Sequence, residues 1–393
     1  MRTEHFDYHL PASAIAQPPP RRDRSRLLVL DRVRGRMHHR AIRDLPSLVT
    51  KGDLLVVNDT KVFRARLYGT VDGKPIELLL VRPLNRKENG SGFLPLPLGG
   101  GARGGGSIGQ QSNAWLSLAR PARRLRDGAD VRIGRMRAVV IGHESDGSVR
   151  LAFDRTAAQV IAYANRVGAI PAPPYVATSV RRLADYQTSY ARAVGSVAAP
   201  TAGFHLTPQL LRALRDRGVR IARITLHVGL GTFQPIRTER IEDHAMHAEW
   251  AEVPAATARA IAATKRHGQR VIAVGTTTLR TLEGVAAARP SCHPEERRDE
   301  GSHDVTHSDT PPTPHAYSGW INLFIAPGFR FRVVDALLTN FHLPKSSLLV
   351  LVSAFAAPGE RSLRGRNLIL RAYRSALRHG YRFYSFGDAM LIQ

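Results

Sequence analysis

Cysteine is nearly absent from the chain: Cys292 is the only one in 393 residues, which excludes an intramolecular disulfide and any cysteine-based zinc or iron–sulfur cluster within it. Long apolar runs are missing as well. The most apolar stretch, Leu348 to Ala357, falls well short of the ~20 residues a membrane span needs, and the opening MRTEHFDYHL carries no apolar signal core. Neither membrane insertion nor secretion is expected, and the cytoplasm is the expected compartment. Lysine is scarce, with Lys51, Lys61, Lys74, Lys87, Lys265 and Lys345 the only ones among 57 cations. No G-x-G-x-x-G follows an early strand, which argues against an ordinary Rossmann methyltransferase.

What fills these gaps is arginine. Lys+Arg 57 against Asp+Glu 32 gives a net charge of +25, carried mostly by guanidinium groups. A field of that sign attracts a polyanion, and guanidinium suits phosphate and base recognition, so nucleic acid is the leading partner. An arginine-rich bias spread over a solvated surface gives the same tally and stays open. With 43% hydrophobic residues in 43.2 kDa the chain reads as globular, about two to three typical domains long.

Two stretches look foreign to the folded body. Residues 85–113 are rich in Gly, Ser and Asn and are expected to form a flexible insertion, and 288–318, polar and proline-rich, a disordered one. Cys292, His293, His303, His307 and His315 in the second match no standard zinc spacing. The rest alternates strand-like and helix-like segments. Arg26–Leu30 and Asp53–Val57 read as buried strands, whereas 62–69, 76–82, 114–119, 129–133, 138–142 and 149–153 are short strand-like runs separated by turns. The expected fold is mixed α/β: a discontinuous main α/β domain, 1–61 and 155–393, interrupted by a small all-β barrel at 62–154.

The chemistry-bearing residues cluster at strand–helix junctions. Thr207 and Pro208 are good first residues of a helix, which sets His205 in an exposed loop beside Thr201, Ala202 and Gly203. Such a histidine can act as a base, or can merely bond nearby backbone. His227 stands at the end of a strand that empties into Gly229-Leu-Gly231-Thr232, a loop open to close backbone approach but weak as a nucleotide fingerprint. Val271 to Arg280, with Thr276 and Thr277, and Asn340 to Ser347, with Lys345, can each offer an anion site at a helix start or only a cap. His244 and His247 have a spacing of three, which suits a solvated or packing pair better than a metal. Asn58-Asp59-Thr60 follows a strand, ahead of Lys61 and Arg66, and a turn signal alone would account for it.

Taken in order, GDLLVVNDTKVFRARLYG (52–69), VGAIPAPPYV (167–176), DYQTSYARAVGSVAAPTAGFHLT (185–207), TLHVGLGTFQPIR (225–237), HAMHAEWAEVP (244–254), VGTTTLRTLE (274–283) and FIAPGFRFRVVDALLTNFHLPKSSLLVLVSAFA (324–356) resemble the S-adenosylmethionine:tRNA ribosyltransferase-isomerases of the queuosine pathway. The likeness runs through nearly the whole chain and stops at the two insertions. Phe204-His-Leu206 departs from an expected leucine-histidine-phenylalanine, an apolar exchange.

The resemblance implies that S-adenosylmethionine is a co-substrate whose ribosyl part passes to 7-aminomethyl-7-deazaguanine at the wobble position of a tRNA with a GUN-type anticodon. Epoxyqueuosine forms, and adenine and methionine leave. No metal and no permanently bound cofactor are expected, and the expected state is a monomer. Under this reading His205 and His227 transfer protons. Thr276, Thr277, Arg280 and Lys345 hold the methionine carboxylate or a phosphate, while Asn58, Asp59 and Asn340 meet ribose or base edges. Thr201, Gly229, Gly231 and Thr232 complete the substrate set, and Arg64, Arg66 and other barrel arginines meet the anticodon arm. An RNA-binding module without catalysis is the alternative, distinguished by tRNA binding without adenine release.

Overall fold

The computed structural model describes residues 1–19, 22–84, 113–173, 175–176, 180, 182–229, 235–246, 248–287 and 315–393. The expected insertions at 85–113 and 288–318 lie outside these except at their ends. There the expectation needs correcting: Asn113 donates from its side chain to the Phe153 carbonyl at 2.6 Å, and Tyr317 and Ser318 begin a strand.

The chain divides into two compact units, one of Met1–Thr60, Gln187–Ala193 and Pro200–Gln393, the other of Lys61–Tyr186 with Val194–Ala199. The second reaches beyond 62–154 because the helix Ala157–Val167 is tied to the barrel. Its Tyr163 hydroxyl donates to the Ile133 carbonyl and accepts from the Arg135 N–H, both at 3.0 Å.

The first unit is built on a nine-stranded mixed sheet. In spatial order its strands are Tyr317–Ile321, Glu249–Val253, Arg220–Leu226, Leu54–Asn58, Val271–Val274, Ala336–Asn340, Ala389–Ile392, Arg26–Asp31 and Arg36–Ala41. The four from Arg220–Leu226 to Ala336–Asn340 run parallel. Continuous apolar runs such as Leu54-Leu-Val-Val57 are what a sheet covered on both faces requires, and every residue of that strand is buried. One face, with Leu55, Val57, Ile272, Val274 and Leu338, packs on Leu210, Leu211 and Leu214. These belong to the helix Pro208–Asp216, capped by the Thr207 hydroxyl as its sequence predicts. The helices Ala255–Arg266, Thr276–Ala287 and Arg364–Arg378 also pack against strands of the sheet. No helix among the described residues is long and apolar enough to cross a membrane.

The second unit contains a closed antiparallel barrel of Arg66–Val71, Lys74–Pro83, Ala114–Arg120, Asp130–Ile133, Met136–His143 and Val149–Phe153. Alternating burial along Met136–His143 marks the inward side. The expected single run 62–69 is instead two strands, Thr60–Val62 and Arg66–Val71, separated by a tight turn in which Ala65 N–H donates to the Phe63 carbonyl at 2.8 Å.

Leu214 is fully buried between helix and sheet. Leu214→Ala is expected to lower unfolding free energy by about 2–5 kcal/mol, read from urea denaturation followed by far-UV circular dichroism.

Candidate active site

Four parallel strands that end together present their carboxyl ends at one edge, the place where open α/β sheets hold ligands. Here those ends are Asn58, Leu226 with His227, Val274 with Gly275, and Asn340. Asn58, with no exposed surface, does the joining. Its Oδ1 accepts from the N–H groups of Leu226 (3.0 Å) and Thr60 (3.1 Å), and its Nδ2 donates to the Leu226 carbonyl (3.0 Å) and lies 3.5 Å from Thr277 Oγ1. The side chain therefore continues the strand ladder where the backbone has turned away, and its bonding capacity is taken up by protein.

The turn that Asn58 holds places its two successors. Asp59 is 1% exposed; its Oδ1 accepts from the Thr225 hydroxyl at 2.7 Å, and its Oδ2 lies 3.3 Å from the Arg192 guanidinium in a charge contact. The Thr60 hydroxyl is 2.8 Å from His227 Nδ1, and the imidazole stacks on Trp250 with ring centres 5.3 Å apart. His227 Nε2 has no partner among the described residues. Burial pushes His227 down to about 4, the Asp59 charge acting in the other direction, so the ring is neutral at pH 7.

A second set surrounds Glu249. Its Oε2 accepts from Arg280 Nη1 at 2.8 Å and its Oε1 from the Gly229 N–H at 2.8 Å; Glu249 and Arg280 are 5% and 3% exposed. Arg280 also donates from Nε to the Leu323 carbonyl, which leaves Nη2 as a buried donor without a partner among the described residues. Among the described residues, a Cβ on Gly229 would meet only the Glu249 side chain, nearest at 3.8 Å. Thr276 and Thr277 open the helix Thr276–Ala287 directly after Gly275, whose φ of +88° suits glycine.

The third set centres on Asn340. Its Oδ1 accepts from the Thr201 hydroxyl at 3.2 Å, and its Nδ2 faces His205 Nε2 at 3.2 Å. With the amide donating to Nε2, the neutral imidazole carries its proton on Nδ1, 3.0 Å from Ser25 Oγ. The expected exposed loop histidine is thus a correction: His205 ends a buried turn, Thr201–His205, and is 2% exposed because Phe204 and Leu206 on either side are drawn into the core. Burial pushes it down to about 4, as it pushes His342 to about 3.

Lys345 pairs with Asp7 at 3.0 Å on a half-exposed surface. Arg66 belongs to the barrel unit, where it holds Glu77 at 2.7 Å and the Ala172 carbonyl; Arg64 there bonds the Gly168 carbonyl. Gly231, Thr232, His247, Cys292, His293, His303 and His307 lie outside the described residues. Sequence reasoning missed Glu249, Trp250, Thr60, Arg192 and Ser25. A strand-borne carboxylate with no exposed register of its own was the one available signal, in HAEWAEV.

Comparison with known proteins identifies the family. The queuosine biosynthesis protein family matches residues 3–392. A protein of Moorella thermoacetica named S-adenosylmethionine:tRNA ribosyltransferase-isomerase is 46% identical over the full length of both chains, and one of the same name from Thermotoga maritima is 40% identical, again over both full lengths. The crystal structure of an S-adenosylmethionine tRNA ribosyltransferase from Thermotoga maritima, 33% identical, aligns with 99% of this chain and 100% of its own at a TM-score of 0.50. The chain belongs to the queuosine biosynthesis protein family and is an enzyme of the transferase–isomerase class.

Two outcomes follow from the geometry. Asn58→Ala strands two N–H groups and a carbonyl and is expected to cost about 2–4 kcal/mol in chemical denaturation. The unfolded chain protonates its histidines below about pH 6.5, whereas His205, His227 and His342 stay neutral in the folded protein to about 4 or lower. Stability is therefore fully present above pH 6.5 and falls as the pH drops toward 4. By pH 5 the loss should be on the order of 1–2 kcal/mol per ring, visible in melting temperatures, and His342→Gln should flatten the slope.

Proposed function

We propose that the protein transfers and isomerises the ribosyl part of S-adenosylmethionine onto 7-aminomethyl-7-deazaguanine at the wobble position of a GUN-anticodon tRNA in the cytoplasm, forming epoxyqueuosine and releasing adenine and methionine. The observation that carries this is the 46% identity along the whole chain to a relative named S-adenosylmethionine:tRNA ribosyltransferase-isomerase. The unit holding the nine-stranded sheet is the catalytic one in this reading, and the barrel unit contributes Arg64 and Arg66 to the anticodon arm.

The chemistry begins at the sulfonium, whose charge acidifies the adjacent 5′ C–H. His227 is the group assigned to take that proton: it is neutral, its Nδ1 is held by Thr60, and its Nε2 is free of partners among the described residues. Elimination then opens the ribose and expels adenine, the substrate amine adds, and epoxide closure displaces methionine. His205, with both ring nitrogens engaged, is assigned to positioning Asn340, which with Thr201 and Asp59 meets ribose or base. The unpartnered Nη2 of Arg280, with Thr276 and Thr277 beside it on the same helix, suits the methionine carboxylate. Asn58 is left out of ligand contact, its polar atoms already bonded.

The test is adenine and methionine release from S-adenosylmethionine with and without tRNA bearing the aminomethyl-deazaguanine, followed by nucleoside mass analysis. Release that requires this tRNA and adds the ribosyl-derived mass is expected; tRNA binding without release favours a non-catalytic module. His227→Ala is expected to lower kcat by about 100-fold or more with an unchanged melting temperature. Because the ring stays neutral to about pH 4, kcat/KM should show no histidine limb between pH 6 and 7.

A further inference from the structure

Beside the candidate site, in the same unit, lies a groove of about 410 Å³ whose wall includes Ser189, Tyr190, Leu211, Arg212, Arg215 and Arg223. Arg212 and Arg215 are three apart on the helix Pro208–Asp216 and so share a face, while Arg223 comes from the strand Arg220–Leu226. All three side chains are exposed. None of them makes an ion pair or side-chain hydrogen bond among the described residues. Asp216, four residues after Arg212, leaves it unpaired. Some guanidinium groups of this unit are paired, Arg270 with Asp53, Arg280 with Glu249 and Arg192 with Asp59, while others, such as Arg217 and Arg259, also make no ion pair among the described residues; what sets these three apart is that they line one groove.

Three like charges around one concavity repel each other and gain when an anion enters. The groove is also connected to the chemistry. Ser189 and Tyr190 line it, and two residues further on the Arg192 N–H donates to the Asp59 carbonyl at 2.7 Å while its guanidinium pairs with the Asp59 carboxylate, so the same short segment joins the groove to the carboxyl edge of the sheet.

We propose that this arginine-lined groove docks the phosphodiester backbone of the substrate RNA next to the nucleotide being modified. The inference rests on the proposed tRNA reading and adds the face on which the RNA lies. Three separate cations from two elements, over a floor that includes the apolar Leu211, fit a chain of phosphates better than one enclosed anion, for which a buried donor cage is the usual solution. Contact here is sequence-independent and fixes register, leaving base recognition to the site itself.

The test compares the full-length protein with the triple variant Arg212→Ala, Arg215→Ala, Arg223→Ala and with the corresponding triple lysine variant. The alanine variant is expected to bind tRNA about 10–100-fold more weakly near 0.1 M salt, with the slope of log K against log salt reduced by about two. The KM for tRNA should rise in step, with kcat at saturating tRNA and the KM for S-adenosylmethionine within about twofold of wild type; the lysine variant should keep most of the slope, since it keeps the charges. Unchanged affinity and slope in an alanine variant that melts like wild type overturns the groove while leaving the tRNA reading intact. Wild-type protein that binds no tRNA overturns both. Stabilisation of wild type by inorganic phosphate, lost in the alanine variant while tRNA affinity is unchanged, marks a small-anion site and overturns RNA docking.

Discussion

Between the strands Leu54–Asn58 and Arg220–Leu226 the backbone ladder ends one step before the site begins, and the Asn58 amide supplies the missing rungs. The same side chain fixes the start of the next turn through Thr60 N–H. Asp59 and Thr60 therefore leave the sheet in set directions, one toward Thr225 and Arg192, the other toward His227. An amide can do this because it offers donor and acceptor at once; a carboxylate there could not donate to the Leu226 carbonyl.

Protonation follows from burial rather than from partner charges. His205, His227 and His342 are all held neutral chiefly because their surroundings exclude water. A neutral imidazole has one donor and one acceptor nitrogen, and the neighbours of His205 decide which is which: Asn340 gives to Nε2, itself oriented by Thr201. Tautomer and amide orientation are thereby coupled between the turn Thr201–His205 and Asn340, 135 positions after His205. The Glu249–Arg280 pair is a different solution, in which two charges are buried together and the carboxylate also accepts a backbone N–H.

Much of the fold was legible in sequence because local signals agreed with the global answer. LLVV runs marked doubly covered strands, Thr207-Pro208 marked a helix start, and the short runs between 62 and 153 marked a barrel. The misses share a cause. Whether His205 is exposed depends on Phe204 and Leu206 finding the core, and whether Glu249 faces inward depends on Arg280, thirty-one positions away, arriving with the opposite charge. Neither is written in a window of ten residues. The split of 62–69 into two strands depended on one tight turn at Phe63–Ala65 that carries no glycine or proline to announce it.

The strand Ala389–Ile392 lies between Ala336–Asn340 and Arg26–Asp31, with Leu27 opposite Ala389 and Leu30 opposite Ile392. During synthesis, Arg26–Asp31 thus emerges with its parallel neighbour still untranslated and waits until Ala389–Ile392 has been made. The barrel strands, paired within 66–153, face no such delay and can close while the ribosome is still working. Completion of the sheet, and with it the alignment of the Asn340 end, becomes a late event in which Ala389–Ile392 is wedged between two strands made before it.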